Sequence, residues 1–486
     1  MSRFAKALYL LACSSSALAI QESLRIVGPH KVVRPAALHA TFNERIKQVL
    51  LNHQDTLYTG TIDMGGETIE GILDTGSFEL VVFGKHCMTC GTAVAYDHDK
   101  SSNYSAGTNM KQLSYGSGSC NTRDGYDAVS CGGLKAEKQA FWETMNCRMP
   151  LLANAEFNAI VGVGPPGEAV YEAEHLVAQY EDMLSEDARP LFGWTKGMLE
   201  NGLRRAKETL VLAKTKPDLI EQFKVNRFSA CFGRVPGSVG YMIWNDENRE
   251  HSAGVVSVDV PGDVTWSVKI QGASFVKSGG GEEKMIGCHT MGCGAIVDTG
   301  TTLIGVDTDT YQAAFDYIAG LQTDCSDMSK FPNLIFDLGD GKKLTLPPDA
   351  YISEVYGFAS DDLRRFWRRN ESSPFEDKRP MSLRTMEHGD VVMCQLMLMD
   401  MGTVMTTVGY QMILGMSVFR EYYTTFDLGT GRGTRKIQFS PANDQCEPAS
   451  KEELNTGSFR KSSDVATRPR RVDASKIVVP PPRTSF

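Results

Sequence analysis

The sequence predicts an all-β-dominated fold: two duplicated, strand-rich lobes facing each other across a cleft, with helical insertions at the surface. Three observations point there. Forty-six glycines in 486 residues imply many turns, which suit strands better than helices. Leu57–Met64 and Glu67–Leu73 flank Gly65-Gly66, the pattern of a tight hairpin that leads straight into Asp74. The chain also repeats itself, since Gly71-Ile-Leu-Asp-Thr-Gly-Ser77 matches Ala295-Ile-Val-Asp-Thr-Gly-Thr301 and Ala159-Ile-Val-Gly162 matches Met412-Ile-Leu-Gly415. Two copies describe a duplicated lobe rather than a solenoid.

The elements follow in order. Residues 1–19 read as a secretory signal peptide, with Arg3 and Lys6 before the apolar run Ala7–Ala12 and Ala17-Leu-Ala19 as the small-residue cleavage site. Residues 20–52 read as a removable prosegment. The N-terminal lobe is expected over 53–235, with an insertion at about 167–223 whose Val170, Ala173 and Val177 recur at helical spacing. The C-terminal lobe is expected over 236–447, with a charged insertion at about 356–390. Residues 448–486 turn polar and contain Pro480-Pro-Pro482, the composition of a disordered tail.

Charge and cysteine content narrow the function. The formal net charge is -9, yet residues 20–52 carry five Lys/Arg against two Asp/Glu, and residues 450–486 carry eight against four. The body is therefore strongly acidic, which argues against a nucleic-acid binder and suits a basic leader docking on its own enzyme. After the leader no stretch reaches about 18 uninterrupted apolar residues, so no membrane span is expected. Twelve cysteines, with sequons at Asn103 and Asn370, fit an oxidising secretory route. The end point is either secretion or an acidic compartment resembling a lysosome or vacuole.

The chemistry centres on Asp74 and Asp298. One Asp-Thr-Gly is expected by chance in about one chain in ten of this length. Two copies, each behind an apolar dipeptide and each followed by a hydroxyl residue, are not explained as ordinary strand-end turns. Ile72-Leu73 and Ile296-Val297 would hold each Asp at the end of a buried strand. Gly76 and Gly300 would let the two turns approach closely, and Ser77 and Thr301 could donate to the carboxylates. Two carboxyls sharing a site cannot both ionise, so the pair keeps one proton. One member can then activate water while the other protonates the carbonyl oxygen, with no cofactor and no metal. A metal-dependent hydrolase lacks support, because no His-Glu-x-x-His cluster occurs among the nine histidines. A catalytically decayed binding protein would be expected to have lost one Asp.

On these motifs the chain resembles the pepsin family of two-lobed aspartic endopeptidases from Tyr58 to Cys446. The resemblance implies Asp74 and Asp298 as the catalytic pair, and Thr75 and Thr299 as a hydrogen-bonded bridge between the loops. Ser114-Tyr-Gly-Ser-Gly-Ser119 resembles the flap, with Tyr115 and Gly116 over the cleft. Ile72, Tyr115, Phe157 and Ile160 match the main apolar pocket, implying cleavage of protein or peptide substrates between bulky hydrophobic residues. Disulfides Cys87–Cys90, Cys288–Cys293 and Cys325–Cys394 are implied as well. Cys120–Cys131 is expected as an added staple, leaving Cys147, Cys231 and Cys446 with at least one unpaired thiol. A zinc site from Cys87, Cys90, Cys288 and His289 is the rival reading of those cysteines. Where the family has a tryptophan seven residues after the first Asp, this chain has Val81. The basic prosegment is expected to inhibit a monomeric zymogen by laying a cation across the dyad, Lys47 first, with Lys31 and Arg34 behind it.

Overall fold

The computed structural model describes residues 44–115, 117–185, 195–277, 279–321, 323, 325, 327–357, 383–385, 391–458 and 469–478. Expectations for residues 1–43, Lys31 and Arg34 included, and for Gly116, Asn370 and most of 358–390 lie outside these residues. The architecture is strand-dominated. Ten strands come from the first half: β1 (Ile46–His53), β2 (Leu57–Met64), β3 (Glu67–Asp74), β4 (Leu80–Val82), β5 (Ser105–Tyr115), β6 (Gly118–Cys131), β7 (Leu134–Arg148), β8 (Ala159–Gly162), β9 (Arg227–Phe232) and β10 (Gly240–Trp244). They join Val256–Asp259, Lys436–Pro441 and Tyr422–Asp427 in one thirteen-stranded sheet. Its order is Val256–Asp259, Lys436–Pro441, Tyr422–Asp427, β9, β10, β1, β2, β3, β8, β4, β7, β6, β5.

The internal repeat has a direct structural meaning. β3 runs parallel to β8 with Ile72 opposite Ile160 and Asp74 opposite Gly162. In the second half Cys293–Val297 runs parallel to Gly409–Leu414, with Ile296 opposite Ile413. A short return strand lies antiparallel to the apolar-apolar-Gly strand in each copy: β4 on β8, and Ile304–Val306 on Gly409–Leu414. Each Asp turn is thus gripped between buried strands of its own lobe. The halves meet through β9 and Tyr422–Asp427, where Phe228 stacks on Phe426 with centroids 5.0 Å apart. Trp266 of the second half donates its indole N–H to the carbonyl of Val163 in the first, at 3.1 Å.

The insertion after Gly167 forms two helices, Glu168–Met183 and Lys196–Lys214, bridged by Lys207–Glu181 at 2.8 Å and Lys214–Glu174 at 3.4 Å. Asn103 is exposed just before β5. No described helix is long and apolar enough to cross a membrane.

Three expectations are corrected. Residues 46–52, assigned to the prosegment, form β1 between β10 and β2. The reason is their alternating burial: Gln48 and Leu50 are buried, whereas Lys47 and Val49 are half-buried. Lys47 therefore does not reach the dyad. Its ammonium pairs with Glu447 at 2.5 Å and lies over the Tyr241 ring.

The tail after residue 448 is not uniformly irregular. Lys451–Thr456 is helical behind a Ser450/Glu453 capping box, and Arg470–Asp473 adds a parallel strand to Ile352–Tyr356. Third, Cys120 bonds Cys147, not Cys131, and Cys231 bonds Cys446. Cys120 and Cys131 sit at opposite ends of β6, roughly 35 Å apart at the usual strand rise, whereas Cys120 and Cys147 are register partners across the β6–β7 hairpin. Cys131 remains a buried thiol whose Sγ donates to Gln48 Oε1 at 2.9 Å.

Candidate active site

Each aspartate is fixed by its own turn. Asp74 Oδ1 accepts from the Gly76 N–H at 2.9 Å, and Oδ2 from the Ser77 hydroxyl at 2.5 Å. Asp298 repeats the pattern: Oδ1 accepts from the Gly300 N–H at 2.7 Å, and Oδ2 from the Thr301 hydroxyl at 2.6 Å. Two charge-stabilising donors per carboxyl lock both rotamers before any substrate arrives.

The loops are tied together one residue further on. The Thr75 N–H donates to Thr299 Oγ1 at 3.0 Å, and the Thr299 N–H to Thr75 Oγ1 at 2.9 Å. Each hydroxyl passes its own proton across the lobe boundary, Thr75 to the Val297 carbonyl at 2.8 Å and Thr299 to that of Leu73 at 2.6 Å. This leaves both buried N–H groups partnered by the opposite lobe. The glycines permit the approach. A Cβ on Gly76 would stand 2.6 Å from Asp298 Cγ, and one on Gly300 would stand 2.4 Å from Asp74 Oδ1.

Asp298 is buried and Asp74 half-buried. Burial pushes the Asp298 carboxyl well above the usual range, and the charge of Asp74 and a hydrogen bond to it push it further. Thr301 and the Gly300 N–H oppose the shift without cancelling it. The pair therefore holds a proton in common.

The residues expected in the flap and pocket, Tyr115, Ile72, Phe157 and Ile160, share one apolar cluster. Tyr115 ends β5, opposite Gly118 of β6, and packs half-buried against an apolar cluster that holds Ile72, Val81, Phe83, Phe157 and Ile160. Phe83 and Phe157 meet edge to face at 5.8 Å. Val81 is fully buried in this cluster and pairs with Ile160 and Trp142 of neighbouring strands.

Cys87–Cys90, Cys288–Cys293 and Cys325–Cys394 are disulfides, so the sulfurs of the rival zinc set are already bonded. Thr302 and the C-terminal segment that meets it were missed from sequence. The alternation of Val472 and Ala474 and the pair Ile477-Val478, set in a polar tail, were the available signal.

Two carboxyls from duplicated lobes, sharing one proton at the junction of two Asp-Thr-Gly turns, define an aspartic hydrolase of the two-lobed class. The family described as "Eukaryotic aspartyl protease" matches residues 57–194 and 205–361, more than half of the chain, and the chain belongs to that family. It is similar to Pepsin A of Bos taurus, 26% identical over 409 residues that cover 81% of this chain and 87% of that protein. It is also similar to Cathepsin E of Rattus norvegicus, 27% identical over 320 residues covering 63% and 69%, and to Gastricsin of Suncus murinus, 26% identical over 322 residues covering 63% and 71%. The protein is an aspartic-type endopeptidase.

Proposed function

We propose that the chain is a zymogen of the secretory pathway that cuts protein or peptide substrates between bulky hydrophobic residues at acid pH. The observation that carries this reading is the pairing of the Asp74 and Asp298 turns, each carboxyl held by its own turn and the two turns tied together through Thr75 and Thr299. With the proton on Asp298, Asp74 takes a proton from the attacking water, while Asp298 protonates the scissile carbonyl oxygen. The tetrahedral intermediate collapses when the leaving nitrogen is protonated by the pair. The raised Asp298 carboxyl keeps that proton bound throughout the acid range, which supports activity there. The apolar cluster under Tyr115 supports a preference for hydrophobic side chains.

The zymogen reading now rests on the basic leader as a whole against an acidic body, with Lys47 set aside. Acidification protonates carboxylates and weakens those ion pairs, freeing the leader for self-cleavage.

Digestion of casein or haemoglobin at acid pH tests the activity, with a pepstatin-type transition-state mimic compared with a chelator. Block by the mimic alone is expected, and block by the chelator alone overturns the reading. A peptide-library digest is expected to show hydrophobic residues on both sides of the cut, and charged residues there would defeat the specificity. Acid-treated precursor is expected to lose the leader's mass, with Asp74→Asn abolishing that loss.

A further inference from the structure

The C-terminal segment continues past the point where it adds to Ile352–Tyr356. After Arg470–Asp473 it turns and crosses from one lobe to the other. Arg470 is buried and pairs with Asp55 at 3.0 Å, in the turn between β1 and β2. Lys476 reaches Glu156 of the N-terminal lobe at 3.2 Å. Ile477 is buried in the C-terminal lobe's apolar cluster, which includes Ile296, two residues before Asp298.

Val478 is then held on both backbone groups by one residue. Its N–H donates to Thr302 Oγ1 at 3.0 Å, and its carbonyl accepts from the Thr302 N–H at 3.2 Å. The Thr302 hydroxyl gives its own proton to the Thr56 carbonyl at 2.7 Å, so it faces Val478 as an acceptor. The Val478 side chain packs against the same cluster that carries Ile72, Phe157, Ile160 and Tyr115.

A backbone clamp on one residue, flanked by apolar side chains in both lobes, is how an extended peptide is held without regard to most of its sequence. The clamp stands only four residues after Asp298 in the chain. We propose that Lys476–Val478 is a built-in, substrate-like occupant of the peptide groove, which incoming peptides must displace. The proposal rests on the endopeptidase reading and adds an intramolecular competitor to it. Because the segment is tethered, its effective concentration is in the millimolar range, so modest contacts suffice to fill the groove. The intact chain then binds peptides with an apparent affinity lowered by the fraction of grooves left open.

The test uses the full chain and the full chain carrying Val478→Pro, which deletes the N–H donated to Thr302. Losing that bond is expected to lower KM about tenfold with kcat little changed. A synthetic peptide spanning Arg470–Phe486 is expected to inhibit the variant competitively, and the same peptide with proline at that position to inhibit far less. Should Val478→Pro fold poorly, Lys476→Glu is expected to lower KM by breaking the contact to Glu156, and Glu156→Lys added to it to restore the original KM. An unchanged or raised KM in these variants, or a peptide that does not compete, overturns the proposal. Calorimetry with a non-cleavable, hydroxyl-bearing peptide mimic separates the two readings. Equal affinity for intact chain and variant sinks the occupant alone. Folded proteins that neither bind the mimic nor cleave peptide sink the endopeptidase reading instead.

Discussion

Thr75 and Thr299 exchange hydrogen bonds across the lobe boundary, each backbone N–H donating to the other's hydroxyl. Replacing Thr299 with valine keeps the shape but strands the Thr75 N–H and the Leu73 carbonyl in a buried site. An unsatisfied buried group costs about 1–3 kcal/mol. Thr299→Val is therefore expected to lose about that much stability in a denaturant titration and to reduce kcat roughly 10–100-fold as the dyad loses alignment. Thr299→Ser, which keeps the hydroxyl, is expected to stay within a few-fold of the original.

The contact between each turn glycine and the opposite carboxyl makes a second prediction. A methyl group on Gly76 would be inserted 2.6 Å from Asp298 Cγ, well inside van der Waals contact. Gly76→Ala and Gly300→Ala are each expected to push the carboxyls apart and reduce turnover at least 100-fold. A folded variant retaining full activity would contradict the close approach of the turns.

Activity should depend on pH with a definite sign. Burial first, then Asp74, raises the Asp298 carboxyl, so the reactive protonated form persists upward from acid pH and is lost as pH rises through the raised value. The kcat/KM profile is expected to fall on its alkaline side. Asp74→Asn and Asp298→Asn are each expected to abolish turnover with the circular-dichroism spectrum unchanged.

Stability has its own acid preference. Burial pushes the Asp218 carboxyl up to about 7, against the Gly167 N–H that it accepts at 2.7 Å. Burial and the neighbouring Glu421 raise Asp349 to about 6. A raised carboxyl favours the protonated folded state, so its contribution is present below about pH 4 and is lost as pH rises through the folded value. Asp218 is only half-buried, so solvent reduces the effect to the order of 1–2 kcal/mol between pH 4 and 8. The melting temperature is expected to drop over that range, and Asp218→Asn to flatten the drop.

The buried pair Arg470–Asp55 predicts a large loss on breaking one side. Burial alone would raise the Asp55 carboxyl, but Arg470 and Arg420 outweigh it and hold it below the usual range. Arg470→Met leaves Asp55 buried with one cation fewer and is expected to cost about 3 kcal/mol, measured by urea unfolding. Asp55→Asn combined with it is expected to recover part of the loss.

The Asp turns were legible because they are local: Asp-Thr-Gly-Ser/Thr encodes its own hydrogen bonds, and its duplication encodes the second lobe. The same holds for Cys87–Cys90 and Cys288–Cys293, which close over a few residues. Cys120 was misjudged because its partner is set by the register of the long β6–β7 hairpin. The bulges after Asn121 and Asp127 are invisible in composition. Lys47 was misjudged for a similar reason. Its half of the strand, Ile46–Leu50, is paired by the distant Gly240–Trp244, a partner that the local sequence does not reveal. The Arg470–Val478 segment was hidden by the polar residues around it, since a few anchored side chains are enough to dock an otherwise solvated stretch.

For the zymogen proposed above, the position of β1 between β10 and β2 limits where the leader can be trimmed. Cutting inside it would open a gap in the middle of the common sheet and leave two rows of backbone donors and acceptors facing water. Sequencing the N-terminus of acid-processed protein is expected to find a start ahead of Ile46, so that the finished enzyme keeps the strand that stitches its halves together.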